Sequence, residues 1–92
     1  MKVKIRFFAR FRELFGSDII VDIDDGISLV GAVKSVAEKN KEGYQTIFDE
    51  NGTFKEFVIV MRNGKRVETV SAETTLISDG DEIAVFPPVA GG

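Results

Sequence analysis

Ser28-Leu29-Val30-Gly31-Ala32-Val33-Lys34-Ser35-Val36-Ala37-Glu38-Lys39-Asn40 is the stretch whose reading decides the fold. Leu29, Val33, Val36 and Ala37 recur at helical spacing and form one apolar stripe, while Lys34, Glu38 and Lys39 lie largely off it. Ser28 stands where an N-cap belongs, its hydroxyl ready to accept from the first free backbone amides. Asp24-Asp25-Gly26 reads as the turn before the helix, and the helix is expected to stop by Gly43. Gly31 costs this helix about 1 kcal/mol relative to alanine, which close packing would offset. A helix with a single apolar stripe needs one face of a sheet to cover it.

The sheet is written on both sides of that helix. Lys2 to Phe8 alternates, with Val3, Ile5 and Phe7 on one side and Lys2, Lys4 and Arg6 on the other, so it reads as a strand with one buried face. Phe8 breaks the polar side. From Arg10 the period changes: Phe11, Leu14 and Phe15 fall at helical spacing and Gly16 suits a stop, giving one or two turns of helix. Asp18 to Ile23 is a second strand, and the short connection pairs it antiparallel with the first. Beyond the main helix, Tyr44 to Phe48 reads as a short helical turn that plugs the core with Ile47 and Phe48. Asp49 to Gly52 is a turn. Phe57 to Met61 is a strand apolar on both sides, as expected of a central position.

Asn63-Gly64 marks a hairpin turn, followed by a shorter and more polar strand, Lys65 to Val70. A loop from Ser71 to Leu76 and a tight turn at Asp79-Gly80-Asp81 lead to the last strand, Ile83 to Phe86. Pro87 and Pro88 stop it, since neither can donate to a ladder. The last strand would lie beside the first and project the remaining residues from one end of the sheet. The class is α+β: a mixed sheet packed on one main helix, the ubiquitin-like β-grasp, as a single domain over residues 1–92 with residues 87–92 as its tail.

Composition narrows what such a domain can do. Its 92 residues, 43% hydrophobic with eight Phe, support one modest core. There is no Cys and no His, which excludes disulfides, thiolate nucleophiles, imidazole bases and any metal site built from those ligands. The net charge of −3 argues against direct nucleic-acid binding. No apolar run suits a membrane span and the basic start lacks a signal-peptide core, so a cytoplasmic protein is expected.

The ending, Phe86-Pro87-Pro88-Val89-Ala90-Gly91-Gly92, points to chemistry on the terminus itself. A Gly-Gly end is flexible and passes where side chains cannot. A carboxylate is a poor acyl donor and must be activated, most simply by ATP as an acyl-adenylate, in a site that excludes water. Pro87-Pro88 favours an extended approach to such a site and lowers the entropy lost on entering it. The chain has no phosphate-binding Gly-rich loop with a following helix and no nucleophile–base pair, so it reads as a substrate or carrier for a partner enzyme.

Three further features are candidates for partner contact. The acidic turn with Asp79 and Asp81 precedes the tail by a few residues and could meet a basic partner, although a solvated turn is the plainer reading. Lys2, Lys4 and Arg6 read as the wet face of a strand, or else as a surface for an acidic partner. Phe8 and Phe86, if their strands are neighbours, share the sheet face away from the helix and would make an interaction patch.

Three stretches carry a resemblance: Ala9-Arg10-Phe11-Arg12-Glu13-Leu14-Phe15-Gly16, Asp79-Gly80-Asp81-Glu82, and Phe86 to Gly92. Through them the whole chain resembles the small subunit of molybdopterin synthase, called MoaD, and its archaeal relatives. The resemblance implies that an adenylating enzyme of the ubiquitin-activating type, using ATP and magnesium, activates Gly92, and that this chain binds no cofactor itself. It implies that a sulfur donor then makes a thiocarboxylate, which delivers sulfur to a pterin precursor inside the large synthase subunit. Gly92 matches the reactive terminus and Gly91 its partner, while Phe86, Pro87, Pro88, Val89 and Ala90 match the enzyme-contacting tail. Archaeal relatives also join through the terminal Gly to lysines of target proteins, and some relatives give sulfur to tRNA.

Overall fold

A computed structural model of the chain describes residues 1–88. The elements run β1 (Lys2–Phe7), α1 (Ala9–Phe15), β2 (Asp18–Asp22), α2 (Leu29–Ala37), α3 (Lys41–Ile47), β3 (Ile59–Arg62), β4 (Lys65–Val67), a 3-10 turn (Thr69–Ser71) and β5 (Glu82–Phe86). The five strands form one sheet in the order β2-β1-β5-β3-β4. β1 and β5 are parallel, and the other pairs are antiparallel. This is the mixed sheet over a main helix that the sequence predicts.

The alternation in β1 is realised in full. Val3, Ile5 and Phe7 are buried, and Lys4 and Arg6 are half-exposed on the other face. Ile83 and Val85 of β5 and Val58 and Val60 around β3 are buried on the same side. Against them pack Leu29, Val33, Val36 and Ala37, the predicted stripe of α2, together with Ile47 and Phe48. Ser28 Oγ accepts from the Gly31 amide at 3.1 Å, the expected N-cap. Gly31 is packed closely, since a Cβ there would lie 3.0 Å from Ile27 Cγ2. The β3–β4 hairpin turns on Asn63 and Gly64, whose φ of 50° and 82° suit a two-residue turn with both centres left-handed.

Several boundaries differ from the sequence reading. Phe57 is not in a strand: it lies in a turn in which the Val58 amide donates to Lys55 O, and its residue is 68% exposed. The central strand is β5, with β3 one place outward. β4 ends at Val67 and Val70 falls in the 3-10 turn, exposed. The main helix stops before Asn40, and the helical turn expected over Tyr44 to Phe48 is the seven-residue helix α3, which begins at Lys41. α2 ends at Ala37, and Asn40 caps α3, its Oδ1 accepting from the Gly43 amide at 3.0 Å while its Nδ2 donates to Leu14 O at 3.1 Å.

Gly43 therefore sits inside α3 rather than at a helix stop. Its missing side chain makes room for the Phe15 ring of α1. A Cβ at Gly43 would lie 2.8 Å from Phe15 Cε1 and closer still to Cζ. Phe15 cannot retreat freely, because its ring packs on Phe7 with centroids 4.7 Å apart. Gly43→Ala is thus expected to lose about 1–2 kcal/mol, overpacking outweighing the gain in helix propensity. Thermal melts check this, with Phe15→Leu in the same chain expected to restore most of the loss. A Gly43→Ala protein as stable as the parent would show that the ring moves aside at no cost.

Candidate functional site

The root of the tail is the end of β5, and its surroundings are set by strand register. Phe86, the last residue of β5, pairs with Ile59 of β3 on one side. On the other side the parallel ladder closes at Phe7 and Val85, and the Phe8 amide then donates to Val85 O at 3.3 Å. Because neighbouring residues alternate faces, Phe8, Phe86, Ala84, Ile59 and Met61 all lie on the sheet face opposite α2. The Phe8 and Phe86 rings stack with centroids 4.2 Å apart and planes 10° apart. Arg6 places its guanidinium carbon 5.4 Å from the Phe8 centroid.

Phe8, Phe86, Ile59, Met61, Pro87 and Pro88 line one shallow groove, and Arg10, Lys55 and Thr46 stand along it. Apolar surface beside the end of the last strand, bordered by cations, is suited to holding a partner's apolar segment. Sequence reasoning reached Phe8, Phe86, Pro87 and Pro88. It missed Ile59 and Met61, because a strand apolar on both sides does not announce which residues face the core. It also missed Arg10 and Lys55, and the exposed Phe57 two residues before Ile59. Val89, Ala90, Gly91 and Gly92 lie outside the described residues.

Asp79 and Asp81 are placed elsewhere. The chain enters β5 at their turn and leaves it at Phe86, so they sit at the opposite end of the strand from the tail root, roughly 15–20 Å away at ~3.3 Å per residue. Nearness along the chain does not bring them to the tail's surface. Asp81 is only 7% exposed. Its oxygens accept from Arg62 Nε at 2.8 Å, Asn63 Nδ2 at 2.9 Å and the Ser78 amide at 2.7 Å. Burial alone would raise its pKa, but these hydrogen bonds and the Arg62 charge outweigh it and hold the carboxyl below its ordinary value. Asp81 is an internal tie between the β3–β4 hairpin and the turn, not a free contact. Asp79 is exposed, and its Oδ1 accepts from the Lys2 amide at 2.7 Å, tying the turn to the start of β1.

The basic face of β1 is partly answered within the chain: Arg6 Nε is 3.1 Å from Asp18 Oδ1, Arg6 Nη1 is 3.8 Å from Glu82 Oε2, and Lys4 Nζ is 4.0 Å from Glu82 Oε1. Such exposed pairs add little stability; they place the Arg6 guanidinium between Asp18 and Glu82. Among the described residues no group of His, Cys, Asp and Glu could hold a metal ion, and no helix is long and apolar enough to cross a membrane.

The model of the ThiS family matches residues 5–92 of this chain. The chain belongs to the ThiS family. Among individual relatives of this ThiS-family chain, small archaeal modifier protein 3 of Haloferax volcanii is 39% identical over 92 residues, the full length of both. A molybdopterin synthase sulfur carrier subunit of Aedes aegypti is 32% identical, covering 100% of this chain and 90% of that protein. The crystal structure of SAMP1 from Haloferax volcanii, at 28% identity, superposes over the full length of both chains with a TM-score of 0.86. The ThiS-family chain is thus one of the ubiquitin-like sulfur carriers and modifiers, and its five-stranded sheet is the β-grasp expected from the sequence.

Proposed function

We propose that this protein is a carrier whose reactive group is its own C-terminal carboxylate at Gly92, activated by a partner enzyme. The observation that carries the reading is the position of β5: the central strand ends in Pro87-Pro88 at the rim of the apolar open face. An enzyme docked on that face meets the tail where it leaves the sheet. In the activating step a Gly92 carboxylate oxygen attacks the α-phosphorus of ATP and pyrophosphate leaves. A sulfide-level nucleophile then attacks the acyl carbon, and AMP leaves. ATP and magnesium are held by the activating enzyme, of the ubiquitin-activating type, and none by this chain. The setting is the cytoplasm.

The thiocarboxylate is a strong nucleophile on an arm with little steric cover, suited to giving sulfur to a pterin precursor inside a large molybdopterin synthase subunit. The likeness to a molybdopterin synthase sulfur carrier subunit supports this end use. A second end use has equal support from the likeness to small archaeal modifier protein 3: attack on the acyl-adenylate by a lysine amine, joining Gly92 to another protein.

Intact mass tests the carrier chemistry, and lysine adducts test the second end use. The chain is incubated with an activating enzyme, ATP, magnesium and a sulfur donor, alongside a chain lacking Gly92. A gain equal to replacing one oxygen by sulfur, absent without Gly92, is the result expected of a carrier. Adducts on lysines that survive thiol reductants and need Gly92 mark the modifier. No change with an enzyme proven active on its own carrier would overturn the proposal.

A further inference from the structure

We infer that Phe8, Phe86 and Arg6 form an internal brace that aims the tail, so that Arg6 acts as a positioning residue for activation at Gly92. The inference rests on the proposed function and adds a task for residues that a contact map would count only as partner surface.

Backbone pairing runs out at the tail root. The last pair of the β1–β5 ladder is Phe7 with Val85, and the Phe8 amide makes one further bond, to Val85 O at 3.3 Å. Pro87 and Pro88 carry no N–H to extend the sheet. The direction in which the chain leaves is therefore set at Phe86, by its single ladder partner Ile59 and by its side chain. That side chain lies flat on Phe8, with centroids 4.2 Å and planes 10° apart. Phe8 in turn lies under Arg6, whose guanidinium carbon is 5.4 Å from the ring centre. Arg6 is held by Asp18 at 3.1 Å and Glu82 at 3.8 Å. A continuous series of contacts thus links β2, β1 and β5 to the last residue before the prolines. A tail that leaves in one direction spends more of each docked encounter with its end in the partner's channel.

This makes a kinetic prediction that differs from plain surface contact. If the rings only touched the enzyme, losing them would raise KM, and the two losses would multiply. A brace works as one unit. Phe8→Leu and Phe86→Leu are each expected to lower kcat for ATP–pyrophosphate exchange by about tenfold, beyond any rise in KM from the altered groove surface. The double variant is expected to fall no further than either single one. Arg6→Gln should act in the same direction, and Arg6→Lys should recover part of the loss. Leucine keeps the apolar character of each position, and melts of every variant confirm that it is folded.

Multiplying effects, or a change confined to KM, would overturn the brace. Wild-type protein that is not activated by an enzyme proven on its own carrier would instead count against the proposed function. The brace is then read without enzyme, from hydrogen exchange of the Phe8 amide. Faster exchange in Phe86→Leu sustains it, and unchanged exchange overturns it.

Discussion

Gly91→Val is expected to slow ATP-dependent activation by about 100-fold while leaving the melting temperature where it is. The two halves of that result come from different places. Stability is unchanged because position 91 lies beyond the last ladder residue, Phe86, and beyond the prolines that end the sheet. Activation suffers because a site that protects an acyl-adenylate from water must close tightly around what enters it. A valine Cβ with two methyl groups would find no room in the glycine-sized channel proposed for the activating enzyme, and it restricts the backbone angles of the residue before the proposed reactive one. Displacing a reacting group by about 1 Å can alone cost roughly 100-fold. ATP–pyrophosphate exchange at saturating enzyme checks the rate, and calorimetry checks the fold. A variant activated at the parent rate would sink the narrow-channel argument.

Asp81→Ala carries the largest expected loss of stability, about 3 kcal/mol, or roughly 12–24 °C in melting temperature for a domain of this size. The carboxylate is buried, and one alanine removes the acceptor of three donors at once: Arg62 Nε, Asn63 Nδ2 and the Ser78 amide. Asp81→Asn keeps an acceptor and should lose less. Urea titration gives both values, and an alanine variant as stable as the parent would mean that water serves the donors equally well.

The same group ties stability to pH. The folded carboxyl is held below its ordinary value, so the unfolded chain takes up its proton first, at about pH 4. The stability from this group is complete above that pH and is lost as pH falls from there through the lower, folded value. Asp49 titrates in the same sense, held down by the Thr53 hydroxyl and amide. Asp81→Ala should therefore flatten the acid limb of the stability curve in part, leaving the slope that belongs to Asp49.

Features with one buried face were legible in the sequence. Val3, Ile5 and Phe7 had to face a core, and their period of two states it; the stripe of α2 is as direct. What was not legible depended on partners far along the chain. Asn40 looks like one more residue of a long helix until its amide finds Leu14 O, 26 residues earlier. Gly43 looks like a stop, and only the Phe15 ring explains it. Asp81 looks like a solvated turn or a contact, because Arg62 and Asn63 reach it from a different hairpin. At the candidate site, Phe8 and Phe86 could be placed on one face from their strands. Ile59 and Met61 could not, since Val58 and Val60 are equally apolar and only packing chooses between the sets.

The parallel pairing of β1 with β5 also governs when the domain can exist. Of the five strands β1 is made first and β5 last, so every other element of the sheet separates these two partners, and folding must await a contact of very long range. On the ribosome, a nascent chain that lacks residues 82–86 holds the β1–β2 pair and the β3–β4 hairpin with nothing between them. Two-stranded pieces of that kind are marginal in water. The sheet therefore closes only after β5 has emerged, and synthesis that fails before this point does not produce the fold. The activating enzyme proposed above, docking on the apolar open face, would accept only molecules whose sheet has closed, a form of quality control written into strand order.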